Sequence, residues 1–181
     1  MVSKDILKEH LFDTVGFKNR QEKVALGIAA MEIMYHFAEL HLKIERTIIL
    51  ENNFENLSKP GLIRLMETYK CNTITVFFHT EKSVLEERFL KRDKSPERHR
   101  GHVINTQYPV LPHSVKPGLR EGDNLSSESQ IIYPRSYFTA MKERGMENFS
   151  IGGKEIFVDT TDFSKVSYEE IYDEILQCLD C

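Results

Sequence analysis

The 181 residues include no tryptophan, only three cysteines, nine glycines and six prolines, and no repeat or low-complexity tract. Cys71, Cys178 and Cys181 are an odd number without a framework, which argues against a disulfide-stapled secreted scaffold and for a reducing, cytoplasmic setting. Cys178 and Cys181 form a C-x-x-C pair, but they follow an apparent helix at the end of the sequence. A redox pair sits at a helix N-terminus, where the dipole lowers the thiol pKa, so this one reads as a tail. No apolar run approaches the ~20 residues that cross a bilayer. Met1 to Asp5 shows no charged region leading into an apolar one, so neither a membrane span nor a signal peptide is expected. No sign of charge dominates. Lys plus Arg number 24 and Asp plus Glu 28, a net charge of −4, which provides no global pull toward nucleic acid or anionic lipid.

With 40% hydrophobic and 29% charged residues, the composition is that of a globular chain, read here as one domain over residues 1–181. From Asn19 to Ile44 the apolar residues recur at helical spacing in two stripes. Val24, Ile28, Met31, Tyr35, Ala38 and Leu42 form one, and Ile33, Phe37, Leu40 and Ile44 the other. Such a helix is expected to be buried on more than one side. Arg46 to Glu51 is a short β-branched run, and Asn72 to His79 a second. Between them Ser58 and Pro60 mark the start of a helix reaching about Tyr69. A charged amphipathic helix is expected over Glu81–Arg92, then a polar excursion over residues 93–133. A helix from about Arg135 to Arg144, a strand over Glu155–Val158 and a helix ending near Leu176 complete the reading. Strands alternating with helices predict an α/β fold with a parallel sheet flanked by helices, its strands apolar on both faces. Ligands bind such sheets beyond the C-terminal strand ends, where Glu51, His79 and Asp159 stand.

Four ordered segments resemble parts of one family. They are Ser3-Lys4-Asp5-Ile6-Leu7-Lys8-Glu9; Ile48-Ile49-Leu50-Glu51-Asn52-Asn53-Phe54; Leu85 to Arg92 with Arg98-His99-Arg100-Gly101-His102; and Phe157-Val158-Asp159-Thr160-Thr161-Asp162. In order and spacing they are similar to the P-loop kinases of the polynucleotide-kinase, zeta-toxin and chloramphenicol-phosphotransferase group. The resemblance implies a P-loop NTPase (kinase-like) fold and ATP-dependent transfer of a γ-phosphate to a substrate hydroxyl. It implies Asp5 as the base and Lys8 as a substrate-binding residue. Glu51 would stand near Mg²⁺, and Arg88, Arg92 and Arg98 would be cations of a lid, with Arg98 catalytic. Asp159, Thr160 and Thr161 would lie beside the ATP base. The chemistry fits these residue types: in-line attack on a γ-phosphate needs a carboxylate within hydrogen-bond reach of the nucleophile and guanidinium groups on the equatorial oxygens.

Each of these residues has a plainer reading that the sequence leaves open. Asp5 can cap a helix, Glu51 can be a strand-terminal acid facing solvent, and the run from Lys91 to His102 can be a solvated basic loop. His99 and His102 have no third ligand nearby in sequence, a weak signal for metal.

The family's Gly-x-x-x-x-Gly-Lys-Ser/Thr loop is not found in the 181 residues. Ser3-Lys4-Asp5 already resembles the far side of that unit. The expectation is therefore a kinase-like domain lacking its first strand–P-loop–helix, inactive as it stands, its acceptor a small-molecule or nucleotide-like hydroxyl compound. The alternative is a non-catalytic binding or interaction module, with nucleic-acid binding through the lid a poorer reading. Without the central strand, Ile48–Leu50 and Ile74–Phe78 should pair directly, or the chain should self-associate through its open edges.

Overall fold

The longest element forms because its N-terminus is well capped. Asn19 accepts the Glu22 N–H at 2.9 Å, and the Glu22 carboxylate accepts the Lys18 N–H at 2.7 Å, satisfying donors that the first helical turn leaves free. In the computed structural model, which describes residues 1–109 and 134–179, the helix so started runs from Arg20 to Leu42. In chain order the elements are β1 (Val2–Ser3), α1 (Lys4–Thr14), α2 (Arg20–Leu42), β2 (Leu50–Glu51), α3 (Lys59–Tyr69), β3 (Ile74–His79), α4 (Lys82–Lys94), α5 (Arg100–Val103), α6 (Pro134–Glu143), β4 (Lys154–Asp159) and α7 (Tyr168–Leu179).

One core joins them. Met31, Met34, Tyr35 and Ala38 of α2 meet Leu62 and Leu65 of α3 and Phe149. Val2, Leu50 and Phe77, from three different strands, pack against the same cluster. The Tyr35 hydroxyl donates to the Ser58 carbonyl at 2.9 Å, so its polar end is satisfied inside the core. Burial pushes its pKa up to about 12.

The strands are parallel, as expected, but they form two separate pairs. β1 pairs with β2 (Val2 with Leu50, Ser3 with Glu51), and β3 pairs with β4 over six residues, from Ile74 with Lys154 to His79 with Asp159. The direct pairing of the Ile48–Leu50 and Ile74–Phe78 segments does not occur; each keeps one side without a strand among the described residues. The strand expected over Arg46–Glu51 shrinks to two residues because β1 offers only two to pair with.

The expectation of burial on both sides of α2 is also corrected. The Met31–Tyr35–Ala38 part of the first stripe is buried, while its start at Val24 and Ile28, and Phe37 and Leu40 of the second stripe, are exposed. The strands likewise bury one face: Ile156 and Val158 point into the core while Phe157 is exposed. The stretch read as one polar excursion begins instead with the end of α4 and with α5, and its remainder from residue 110 to 133 lies outside the described residues, as does Cys181. Among the described residues no helix is long and apolar enough to cross a membrane.

Candidate active site

The C-terminal end of β1 runs straight into α1, and that junction organises the site. Ser3 caps α1: its Oγ accepts the Ile6 N–H at 3.4 Å and its hydroxyl donates to the Glu51 carboxylate at the end of β2. Asp5 is therefore not the cap. It stands in the first helical turn, and among the described residues its carboxylate has no hydrogen bond and no ion pair within 4.0 Å. The plain reading of Asp5 as a capping residue fails on this geometry.

Lys4, Lys8 and Arg98 each feel the charge of that carboxylate. Lys4 and Lys8 are one turn apart on α1, which puts them on one helix face. Burial pushes the Lys4 ammonium below its ordinary pKa, opposed by the nearby Glu55 and Asp5 carboxylates. Burial does the same to Lys8, where Asp5 is the one carboxylate set against the like charges of Lys4, Arg98 and Arg144. Arg98 is held close by the lid. Its Nε is sealed from solvent without a hydrogen-bond acceptor, the Asp93 carboxylate being 3.9 Å away. Burial and the neighbouring Arg92 weigh against its charge, while Asp5, Asp93 and Glu9 support it.

Residues 99–108 are docked on α1, the helix that carries Asp5. His99 Nε2 is 3.0 Å from Asp13, and His102 Nε2 is 2.7 Å from Glu9. The Tyr108 hydroxyl donates to Asp13 at 2.8 Å. Phe12, fully buried, lies edge-on to His102 and against Gly101. A Lys23 tripod closes the arrangement: its Nζ donates to the carbonyls of His102 (2.7 Å) and Ile104 (2.6 Å) and to Asn105 Oδ1 (3.1 Å). Burial pushes the Lys23 pKa down to about 8. The two lid histidines thus serve as carboxylate partners, and among the described residues no three His, Cys, Asp or Glu converge to hold a metal.

The other expected residues gather at a second place. Asp159 accepts the Thr161 N–H at 2.8 Å, which together with the Thr161 hydroxyl holds its carboxyl below the usual range. The Thr160 hydroxyl donates to the His79 carbonyl at 2.8 Å. Arg88 donates to the Thr161 carbonyl at 3.2 Å and lies over the Phe163 ring, 4.3 Å from its centroid. Asp159, Thr160, Thr161 and Arg88 therefore knit the ends of β3 and β4 to α4. Arg92 pairs with Asp93 at 3.0 Å, beside Arg98.

In fold, the chain is similar to the solved structure of "a putative kinase" from Chloroflexus aurantiacus J-10-fl. The identity is 24% and the TM-score 0.70, over 98% of this chain and 82% of that one. At that identity the likeness shows the fold alone. No family model matches the chain, and no curated protein matches it significantly.

Several residues of the site escape a reading of the sequence. Lys23 had a signal, since it lies on the same face of α2 as the buried Ala30, Met34 and Ala38. Arg144 had none. Its guanidinium is clamped by both carboxylate oxygens of the buried Glu55, an interaction across 89 positions of sequence.

Proposed function

We propose that the Asp5 site belongs to a P-loop-kinase-like phosphotransferase, which moves the γ-phosphoryl group of ATP to a substrate hydroxyl. The observation that carries this reading is the Asp5 carboxylate itself, unpaired among the described residues just beyond the C-terminal end of a parallel strand, with its charge felt by Lys4, Lys8 and Arg98. The fold likeness to a protein named as a kinase agrees with it. Asp5 accepts the proton of the attacking hydroxyl as its oxygen bonds to the γ-phosphorus and the bond to the bridging oxygen breaks. Lys8 orients the acceptor. Arg98, with Arg92 behind it, faces the negative charge of the transferred group. Bound ATP supplies the electrophilic phosphorus. Glu51 and the Ser3 hydroxyl offer two oxygens, which suits Mg²⁺ that arrives with nucleotide phosphates and keeps most of its water. Asp159, Thr160 and Thr161, with Arg88, form the wall for the nucleotide base.

These 181 residues contain no Gly-x-x-x-x-Gly-Lys-Ser/Thr sequence to form a phosphate cradle of backbone N–H groups, so transfer by them alone is expected to be negligible. Calorimetry with Mg²⁺ and ATP is expected to give no affinity tighter than micromolar. Joining a strand–Gly-x-x-x-x-Gly-Lys-Ser/Thr–helix unit ahead of Met1 is expected to produce transfer, and Asp5→Asn to reduce its turnover by roughly 10²–10⁴ with little change in ATP affinity. Undiminished turnover in Asp5→Asn would remove Asp5 from the mechanism. Tight ATP binding by the chain without the added unit favours the second reading, a binding module that uses the same surface without transfer.

A further inference from the structure

Residues 99–108 rest on α1 through two imidazoles. His99 stands opposite Asp13 at 3.0 Å and His102 opposite Glu9 at 2.7 Å. Glu9 and Asp13 are four positions apart and so share one face of α1. The contacts of His99 fix where its proton sits. The buried Gly101 N–H donates to Nδ1 at 3.1 Å, so Nδ1 carries a lone pair and the one ring proton is on Nε2, donated to Asp13. Gly101 is in the first turn of α5, where no carbonyl of the helix reaches its N–H. A second proton, on Nδ1, would set N–H against N–H and leave that buried donor without an acceptor. His102 meets a related difficulty: its side chain is only 7% exposed and lies edge-on to Phe12. Burial lowers its pKa from the ordinary 6.5, with Arg98 and Lys8 acting the same way and Asp5 and Glu9 opposing. The groups facing the two rings are thus Asp5, Lys8, Glu9 and Asp13 of α1, Lys23 of α2 on the His102 carbonyl, and Arg98 and Tyr108. Between about pH 5.5 and 7 carboxylates, lysines and arginines ordinarily hold their charge, so imidazoles are the groups that change.

We infer that residues 99–108 are an acid-released latch, held on α1 while His99 and His102 are uncharged and let go when they take up protons. The competing effect is attraction of an imidazolium to Asp13 or Glu9, which would tighten the docking in acid. Asp13 is 54% exposed and already accepts the Tyr108 hydroxyl, so its pull is screened and shared. For His102 the sign follows from linkage. The released ring takes its proton near the ordinary value and the docked ring only at lower pH, so its support for docking is complete above about 6.5 and is lost as pH falls below that. Release uncovers the Phe12 ring that Gly101 and His102 now cover, and frees the chain that follows Arg98. The latch rests on these contacts and not on the phosphotransfer reading.

The test is amide hydrogen exchange of the 181-residue chain at about pH 7 and about pH 5.5, with each rate corrected for the intrinsic effect of pH. The N–H groups of Gly101, His102 and Ile104 are bonded in the docked segment. They are expected to lose protection roughly tenfold in acid, the ratio given by one imidazole of ordinary pKa that takes its proton only after release. Amides of Met31 to Ala38 in α2 should keep theirs. His102→Gln keeps a donor toward Glu9, and His99→Asn keeps an acceptor for Gly101. Together they should hold the loss within about twofold, whereas His10→Gln should leave it at roughly tenfold. Protection that rises or stays constant in acid overturns the latch. So does an equal loss in α2, or an undiminished loss in the double variant. Nitrogen shifts of the imidazoles, read by NMR on the wild type, give a measurement that needs no variant. They should show His99 protonated on Nε2 at about pH 7 and His102 titrating below 6.5. A proton on Nδ1 of His99, or a raised value at His102, overturns the latch.

Discussion

Lys23 shows how one side chain sets the position of a whole segment. Its ammonium meets three oxygens of residues 102–105, which holds the segment after Arg98 against α2. Replacing it with methionine leaves two carbonyls without their donor, at a cost of ~2–3 kcal/mol in chemical unfolding. The sign of its pH dependence follows from its lowered pKa of about 8. Between that value and the ordinary 10.5 the unfolded chain binds more protons than the folded one, so the Lys23 contribution to stability rises with pH across the window. Urea titrations at about pH 7.5 and about pH 9.5 should show the wild type gaining on Lys23→Met at the higher pH. A constant difference between the two proteins contradicts the lowered value.

At the scale of elements, close contacts at two glycines decide how helices meet. A Cβ at Gly61 would overlap the Tyr35 ring, and one at Gly101 would overlap the Phe12 ring. Gly61 lets the first turn of α3 lie flat on α2, and Gly101 lets α5 sit on α1. Gly61→Ala should cost ~1–3 kcal/mol in urea titration, since both neighbours are core. Gly101→Ala should instead loosen the lid, seen as faster hydrogen exchange of residues 100–104 with a smaller change in global stability. Unchanged exchange there would mean that α5 does not rest on this contact. The helices α2, α3, α4, α6 and α7 and the longer strands were legible in sequence because each carries its own period, whereas α1 and α5 were not read. α2 begins at its Asn19 cap, α3 begins just after Ser58, and β3 and β4 are apolar runs between turns. β1 was not legible, because two residues carry no period. The docked lid was not legible either, since His99–Asp13 and His102–Glu9 join positions about 90 residues apart and neither partner marks itself locally. Asp5, Lys8 and Arg98 are singled out in the sequence by resemblance alone. That Asp5 is unpaired, and that Lys4 and Arg144 lie with them, depended on tertiary placement.

The whole molecule carries a parallel sheet in two halves, and that division governs its behaviour in solution. β1, β2 and β3 rest on the α2–α3 core and β4 pairs with β3, yet β2 and β3 each keep an edge without a strand among the described residues. Parallel strands are ordinarily covered on both faces and paired on both sides, because a parallel ladder is less stable per residue and depends on burial. Here Ile49 is 62% exposed, Phe78 67% and Phe157 65%. Leaving three such side chains in water forgoes ~1.5–3 kcal/mol each, a sum comparable with the ~5–15 kcal/mol stability of an ordinary domain. An open edge beside exposed apolar side chains is a template for another strand. The 181-residue chain is therefore expected to associate through these edges, with a light-scattering mass that rises above 21.1 kDa as concentration increases. Ile49→Lys/Phe78→Lys places charges beside both edges and should return the mass toward the monomer, by the same device that natural edge strands use. A wild-type chain that stays monomeric at every concentration and melts cooperatively above ~65 °C, the top of the usual mesophile range, would show that the two halves are self-sufficient.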